Sequence, residues 1–442
     1  MKRDISIFLN KWKHSKVRQP LLIRGARQVG KTFSIMQFGK DNFENCVAIN
    51  FEEKPEFGKC FDNLNPKLII EKISILSNES IRPGKTLLFF DEIQDYPLVI
   101  SSLRYFYEKM PDLHVIGAGS LIEFALKSEK FKMPVGRIQS IYMYPLSFCE
   151  FLDAINQSKL RGYINTINLN DKIESIFENR LTELLRLYFI LGGMPKIVES
   201  YVNSVEMNEI MHLQTALLKT YEEDFAKYSK TSNHKYLREV FLTAPAMVGK
   251  RYKYSQINNL IPSRYLKEAL NLLCDTMCIS KIVHTAADGV PFEAEKNDKK
   301  FKILHLDIGL MQRALRLEHS ILFNNNLMQI NSGSIAEQYV GQELIALENQ
   351  YENNKLFFWA RDAKSSNAEI DYMAMVENIP VPVEVKAGKT GSLKSMRLFL
   401  NEHPNSNFGI RFSLREFSFH DQILSIPLFM VSQLKRLCEP FV

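Results

Sequence analysis

The sequence contains no long uninterrupted run of apolar residues, and this absence argues against a membrane-spanning helix. No stretch reaches the roughly 18 uncharged apolar residues that such a helix requires. The N-terminal segment MKRDISIFLNKWKHSKVRQP also lacks the continuous apolar core of a secretory signal. We therefore expect a cytoplasmic protein with no membrane partner.

Cysteine is scarce, with six residues in 442, and the spacing of these residues fits neither a zinc site nor a disulfide framework. The closest pair, Cys274 and Cys278, lies in the apolar helical pattern LKEALNLLCDTMC, where cysteine is an ordinary small core residue. Internal repeats and low-complexity tracts are absent as well. With 45% hydrophobic and 24% charged residues, the chain has the composition of a folded globular protein.

The charge balance is mildly basic and selects no partner by itself. A net charge of +6 permits contact with a polyanion, but over this length it also describes an ordinary solvated surface. At about 150 residues per domain, the length predicts about three domains. From the alternation of strand and helix patterns we predict an α/β domain over 1–150, a helical connector over 151–230, a further domain over 231–330 and a second α/β unit over 331–442.

A glycine-rich loop follows the first apolar strand of the sequence. The segment LLIRGARQVGKT matches the pattern G-x-x-x-x-G-K-[ST] and precedes the helical segment FSIMQFGK. Glycine lets successive backbone N–H groups point at a phosphate, lysine adds a positive charge, and threonine offers a hydroxyl to Mg²⁺. We predict a nucleotide-phosphate site formed by Gly25, Ala26, Arg27, Gln28, Val29, Gly30, Lys31 and Thr32, in which Lys31 is also catalytic.

An apolar strand that ends in two carboxylates, TLLFFDE, supplies the second half of such a site. Asp91 is predicted to hold Mg²⁺ together with Thr32, and Glu92 to activate the attacking water as a general base. A further strand, Cys46 to Phe51, lies between the two motifs in the chain. We interpret it as the additional central strand of the ATPases that use a catalytic glutamate. The sequence therefore predicts a parallel α/β fold that hydrolyses a nucleoside triphosphate.

Residues 17–155 resemble the AAA+ ATPases of bacteria and archaea, through GARQVGKT, LLFFDEIQ, VIGAGS and GRIQSIYMYPLSFCEFL in that order. The resemblance implies that the nucleotide is ATP. It also implies that Ser120 is a polar sensor near the γ-phosphate and that Arg137 is an arginine finger supplied to a neighbouring subunit of a homo-oligomer. A structural role stays open for both residues, because serine is common after strands and arginine is usually solvated.

The resemblance continues through GGMPK, KTYEEDF and KFKILHLDIGL into the uncharacterised domain that follows this ATPase in the family. It implies a winged helix over 231–330 and a restriction-endonuclease-like α/β domain over 331–442. The winged-helix segment carries no aromatic interleaving typical of single-strand binding. Its basic residues are placed to contact DNA phosphates, but the segment also fits an interdomain hinge. These residues are Lys250, Arg251, Lys253, Arg264 and Lys267.

The restriction-endonuclease-like unit carries a candidate nuclease site. Asp371 lies in AEIDYMAMV, and a hairpin turn after this strand would bring it near Glu384 and Lys386 of VPVEVKAG, with Glu337 on the preceding helix. Two carboxylates can hold a divalent metal that activates water. Because E-x-K triplets are frequent by chance, cleavage of nucleic acid and an inactive nuclease fold both stay open.

Two functional hypotheses follow from the whole chain. In the first, Mg²⁺-dependent ATP hydrolysis rearranges the winged-helix and nuclease-like domains on DNA. In the alternative, the protein is a nucleotide-dependent scaffold that binds DNA or a protein partner, and its nuclease fold is inactive.

Overall fold

A computed structural model of the chain describes residues 1–120, 122, 136–228, 231–317, 332–353, 355–362, 366–388 and 392–442. Its N-terminal part is built on a five-stranded parallel sheet with the order β2-β3-β4-β1-β5. The predicted strand Cys46 to Phe51 corresponds to β2 within one residue at each end, and the predicted parallel α/β fold is confirmed. The strands are β1 (Leu21–Arg24), β2 (Asn45–Asn50), β3 (Thr86–Asp91), β4 (His114–Ala118) and β5 (Gln139–Tyr142).

The predicted additional central strand is present, since β4 separates β1 from β3, but the interpretation of β2 as that strand is wrong. β1 pairs with β4 through Leu22 and Gly117, and β4 pairs with β3 on its other side. Among the described strands, β2 pairs only with β3 and forms the edge of the sheet. Order along the chain does not fix order across a sheet, because a helical crossover can pass over a strand position that a later strand fills.

Helices cover both faces of this sheet. Alternate residues of a strand point to opposite faces, so Leu21 and Ile23 pack into one core while Leu22 packs into the other. The first core includes α1 (Ile5–Lys13) and α2 (Lys31–Asn42), and the second includes α3 (Pro66–Ser77) and α4 (Pro97–Lys109).

A helical region follows the parallel sheet. It begins at Ser147, whose side chain accepts a hydrogen bond from the Glu150 N–H while Glu150 caps the Ser147 N–H in return. The helices are α5 (Phe148–Ala154), α6 (Ser158–Thr166), α7 (Ser175–Leu191), α8 (Pro195–Val202), α9 (Met207–Tyr228), α10 (Thr231–Met247) and α11 (Ser263–Asp275).

The C-terminal part contains a mixed eight-stranded sheet in the order β12-β13-β11-β10-β9-β8-β6-β7. Its strands are β6 (Ile279–Thr285), β7 (Lys296–His305), β8 (Leu356–Ala360), β9 (Glu369–Val376), β10 (Ile379–Val385), β11 (Gly409–Ser413), β12 (Ser418–His420) and β13 (Ile423–Pro427). The helices that accompany them are α12 (Ile308–Leu315), α13 (Ser332–Leu347), α14 (Lys394–Glu402) and α15 (Leu434–Cys438).

The hairpin predicted to be the wing of a winged helix belongs to this larger sheet. β6 pairs antiparallel with β7 on one side and parallel with β8 on the other. Strands from the predicted regions 231–330 and 331–442 therefore share one sheet. The helix pair and hairpin of a winged helix are present in order, but the winged-helix and nuclease-like identities, like the four domain boundaries, stay predictions.

In the part of the chain that the structure describes, no helix is both long and apolar enough to cross a membrane. The six cysteines are all free thiols.

Candidate functional site

The glycine-rich loop connects β1 to α2, and two of its glycines meet specific steric demands. A Cβ on Gly25 would lie 2.4 Å from the carbonyl oxygen of Met143, far inside van der Waals contact. Gly30, directly before α2, has a φ of +93°, a left-handed conformation that side chains disfavour. The loop is therefore pressed against the segment after β5 and needs glycine at both positions.

Lys31 is nearly buried at the first turn of α2. Its Nζ donates to the carbonyl oxygens of Gly25 and Ala26, each at 2.9 Å. Burial lowers the pKa of Lys31 to about 8. The ammonium thus lies inside the curve of the loop, where a lysine of this motif contacts the β- and γ-phosphates.

Thr32 and Asp91 meet across the two motifs. The Thr32 hydroxyl donates to Asp91 Oδ2 at 2.6 Å, and the Glu92 N–H donates to Asp91 Oδ1 at 3.1 Å. Burial raises the pKa of Asp91, although the Thr32 hydrogen bond opposes this. A hydroxyl beside a carboxylate is an oxygen donor set of the kind that Mg²⁺ prefers, so these residues fit the predicted ion.

Glu92 and Ser120 both line a cavity of about 490 Å³ at the mouth of the loop. Glu92 has a φ of +52°, and its Oε2 accepts from the Gln94 side-chain amide at 2.6 Å. Ser120 is 8% exposed. The other lining residues include Arg3, Arg27, Gln28, Gly30, Lys31, Thr32, Lys196 and Glu199.

Arg137 does not line this cavity. It precedes β5, at the amino-terminal edge of the parallel sheet, whereas the loop lies at the carboxyl-terminal edge. Its Nε lies 3.2 Å from Glu108 Oε1, and 45% of the side chain is exposed. The structure therefore places it away from the nucleotide site of its own chain, and the role in a neighbouring subunit stays a prediction.

Arg3 supports the loop from a distant part of the sequence, and sequence reasoning missed it. Its guanidinium donates to the carbonyls of Val29 at 2.8 Å and Tyr144 at 2.7 Å, and to Glu150 Oε1 at 2.9 Å. A lone arginine before an amphipathic helix carries no local signal for such a role.

The helical region also contacts the loop through α9. The Arg27 guanidinium lies 2.6 Å from Asp224 Oδ1, and the Tyr221 hydroxyl donates to the Arg27 carbonyl at 2.5 Å. Tyr221 and Asp224 both lie in the segment KTYEEDF, whose presence in the resemblance was the only sequence signal for this contact.

The start of α8 forms another wall of the cavity. Gly193 N–H donates to Asp307 Oδ2 at 2.7 Å, and a Cβ on Gly192 would lie 2.1 Å from Asp307 Oδ1. This contact joins the segments GGMPK and KFKILHLDIGL and positions Pro195 and Lys196 beside the loop.

A second cluster of charged residues brings together the four candidate nuclease residues. The predicted hairpin is confirmed, since β9 and β10 pair antiparallel with Tyr372 opposite Val383. Asp371 Oδ2 accepts from the Val385 N–H at 2.8 Å, and Lys386 forms an ion pair with Glu384.

Lys302 of β7 lies among these carboxylates, and no sequence pattern indicated it. Its Nζ lies 2.9 Å from Glu369 Oε1, 3.4 Å from Glu337 Oε2 and 3.6 Å from Asp371 Oδ1. Burial alone would lower the pKa of Lys302, but the surrounding carboxylates outweigh burial and raise it. Burial raises the pKa of Glu337, and that of Glu384, while Asp371 adds repulsion to both.

Among the described residues, no group of three or more histidine, cysteine, aspartate and glutamate side chains is arranged to hold a metal ion. The carboxylates around Lys302 do not form such a group, and they face the lysine ammonium instead.

The parallel sheet, the glycine-rich loop and the Thr32–Asp91 contact together define a P-loop NTPase domain. Residues 17–152 match the model of a family described as "AAA domain". This region is therefore an AAA-type P-loop ATPase domain. Residues 182–320 and 332–429 match two further families, each described as a domain of unknown function (DUF8612 and DUF4143).

A comparison with curated proteins gave no match. Similar solved structures include the Aeropyrum pernix ORC1 protein in complex with DNA (11% identity, 72% of this chain and 91% of that chain, TM-score 0.28). They also include the Thermotoga maritima RuvB Holliday junction branch migration motor (14%, 62% and 86%, TM-score 0.29). A STAND protein with a tetratricopeptide repeat sensor from Pyrococcus horikoshii is a third (14%, 79% and 46%, TM-score 0.25). Likenesses this weak carry no weight for function.

Proposed function

We propose that this protein binds ATP with Mg²⁺ and hydrolyses it, and that hydrolysis changes the arrangement of its C-terminal part on DNA. The observation that carries the proposal is that Lys31, Thr32 and Glu92 line one cavity, and that Asp91 from the second motif accepts a hydrogen bond from Thr32 there.

Binding of the triphosphate uses groups that the loop already holds in position. Lys31 exchanges its bonds to the loop carbonyls for bonds to phosphate oxygens, and the N-terminus of α2 adds its partial positive charge. Thr32 and Asp91 hold Mg²⁺, which supplies charge neutralisation at the phosphates when bound. Lys196 of α8, paired with Glu199 at 2.9 Å, offers a second cation from the helical region.

Glu92 is the proposed general base. A water attacks the γ-phosphorus, Glu92 accepts its proton, and the bond between the γ-phosphorus and the bridging oxygen breaks. Ser120 lines the same cavity and is the proposed γ-phosphate sensor. The hydrogen bond from the Gln94 amide holds Oε2 of Glu92, and it must loosen before that oxygen can accept a proton from the water.

The contacts of Arg27 provide the proposed route from the nucleotide to the C-terminal part. Arg27 belongs to the phosphate loop, and Asp224 and Tyr221 belong to α9. A bound phosphate attracts the Arg27 guanidinium and so competes with Asp224 for it. Nucleotide binding therefore weakens the ion pair that holds α9 against the phosphate loop.

The proposed DNA surface includes α10, α11 and the segment between them. Lys250 and Lys253 are exposed in that segment, and Lys267 is exposed on α11. Although the sequence suggested no aromatic platform, Tyr236 stacks on Tyr265, with ring centroids 4.9 Å apart, and Arg264 covers Tyr265. Basic groups around stacked rings suit contact with a nucleic-acid backbone.

The test is ATP hydrolysis with Mg²⁺, measured with and without duplex and single-stranded DNA while the DNA is followed for cleavage. Lys31→Ala should abolish nucleotide binding, whereas Glu92→Gln should retain binding and lower kcat by about 10² to 10⁴. Glu71→Gln, an exposed carboxylate on α3, is the matched control and should hydrolyse ATP normally. A Glu92→Gln variant with normal turnover would show that another residue activates water.

A nucleotide-dependent scaffold is the second candidate, and the bond from Gln94 to Glu92 favours it, since a restrained base gives slow turnover. DNA-stimulated turnover that weakens in Arg264→Ala supports the motor. Nucleotide binding with slow turnover that DNA leaves unchanged supports the scaffold.

A further inference from the structure

The carboxylate cluster of the C-terminal sheet already contains a cation of its own. Lys302 is 1% exposed, and its Nζ lies within 3.6 Å of oxygens of Glu337, Glu369 and Asp371. The three carboxylates come from α13 and β9, and the lysine comes from β7, at the far edge of the same sheet.

The surroundings hold the ammonium group in place. The ring of Phe358 lies below it, with 5.4 Å between Nζ and the ring centroid. The turn after α10 covers the cluster from another side, since a Cβ on Gly249 would lie 3.4 Å from Glu337 Oε1. Asp371 is further fixed by the Val385 N–H.

A divalent metal does not fit this arrangement. Mg²⁺ takes oxygen ligands at about 2.0–2.1 Å, and one oxygen each of Glu337, Glu369 and Asp371 is already directed at Nζ. An ammonium group about 3 Å from those oxygens occupies the same volume and repels a second cation. Glu384, the remaining carboxylate, is paired with Lys386 through Oε1, and its buried Oε2 accepts no hydrogen bond from the described residues.

We propose that Lys302 is the permanent cation of this cluster, so that the cluster is a metal-free ionic clamp between β7, β9 and α13 and the nuclease-like sheet does not cut nucleic acid. The clamp is separate from the ATP site, and its role does not depend on whether ATP is hydrolysed. Removing one buried charge from such a network leaves its partners unpaired, and this lowers the stability of the folded protein.

The first test counts Mn²⁺ ions bound to the full-length protein by electron paramagnetic resonance, without nucleotide, in wild type and in Asp371→Asn. Equal stoichiometry in the two proteins is expected, because Asp371 faces an ammonium group and holds no metal. Loss of one Mn²⁺ in Asp371→Asn would overturn the proposal, as would Mn²⁺-dependent DNA cleavage by wild type that disappears in Lys386→Ala.

The second test removes the internal cation. Lys302→Met should bind one additional Mn²⁺, at least about a hundredfold more tightly than wild type binds it there, because a unit charge within about 4 Å of the ion has been removed. Lys302→Arg keeps the charge and should gain no Mn²⁺. The gain should disappear in Lys302→Met combined with Asp371→Asn. If folded Lys302→Met gains no Mn²⁺, the carboxylates are not a cation site held by lysine. If this variant does not fold, the comparison of wild type with Asp371→Asn still decides the proposal.

Discussion

Gly25 is the position where the phosphate loop tolerates a side chain least. A Cβ there would lie 2.4 Å from the Met143 carbonyl oxygen, a backbone atom that cannot swing away. We expect Gly25→Ala to displace the loop, to lower the melting temperature and to weaken ATP binding at least tenfold, about 1.4 kcal/mol. Calorimetric titration with ATP and thermal unfolding measure the two effects.

Gly162→Ala is the matched control for that substitution. Gly162 lies within α6, and a Cβ there meets no atom within 4 Å. Alanine favours a helix over glycine by about 1 kcal/mol, so this variant should be slightly more stable and should bind ATP normally. Equal ATP affinity in Gly25→Ala and wild type would contradict the packing of the loop described here.

Single residues were predictable where a short motif carries them. The loop and the strand TLLFFDE each form a short recognisable pattern. In the structure Lys31, Thr32 and Glu92 line one cavity, and Asp91 contacts Thr32. Lys302 could not be predicted, because its partners lie 35 to 69 positions away along the chain (302 to 337, 302 to 371) and a lone lysine in a strand has no distinctive spacing.

At the scale of elements, the link between the phosphate loop and α9 yields a stability prediction. Asp224 is 5% exposed and lies 2.6 Å from the Arg27 guanidinium. Arg27→Ala leaves the buried Asp224 carboxylate unpaired, and Asp224→Ala removes the partner of the half-buried Arg27, so each variant should destabilise the protein. In a double-mutant cycle the two should couple by about 1–3 kcal/mol, measured by urea unfolding.

The surface pair between Glu222 of α9 and Arg238 of α10 is the control for this cycle. Arg238 Nε lies 2.8 Å from Glu222 Oε2, close to the 2.6 Å of the Arg27–Asp224 pair, but the arginine side chain is 58% exposed. Water screens such a pair, so its coupling energy should be between 0 and about 1 kcal/mol. Similar coupling in both cycles would mean that the contact of Arg27 with α9 is an ordinary surface interaction.

The residues at which strands begin and end were easier to predict from the sequence than the strands with which they pair. Apolar runs located β1 and β3 to the residue, because each run is buried on both faces of a parallel sheet. Strand order failed for β2 and β4, and the pairing of β6 with β8 was not foreseen. Such pairings depend on contacts between distant segments, which periodicity along one segment does not encode.

At the scale of the whole molecule, one buried glutamate connects the C-terminal region to the end of the AAA-type domain. Glu343 of α13 is 1% exposed, and its Oε1 accepts from the Phe148 N–H, the first residue of α5, at 2.8 Å. This bond joins the C-terminal sheet region to the end of the AAA-type domain. The sequence predicted separate regions, and it did not indicate that a buried hydrogen bond between Glu343 and Phe148 would connect two of them.

Glu343 should make the stability of the molecule depend on pH. Burial raises its pKa to about 8, well above the roughly 4.3 of an unfolded chain. Its folded, protonated form therefore contributes stability that is complete below about pH 4 and is lost as the pH rises through 8. The slope is at most about 1.4 kcal/mol per pH unit, since one proton is released on unfolding.

Glu343→Gln tests this dependence because the amide is neutral at every pH and its oxygen can still accept from Phe148. Between pH 6 and pH 8 the wild type should lose up to about 2–3 kcal/mol more than this variant, as measured by urea unfolding at each pH. Glu348→Gln changes a half-buried carboxylate just beyond α13 that pairs with Lys435, and this variant should follow the wild type. If Glu343→Gln shows the same loss as wild type, the glutamate is ionised at neutral pH and the junction between α5 and α13 must accommodate a buried negative charge.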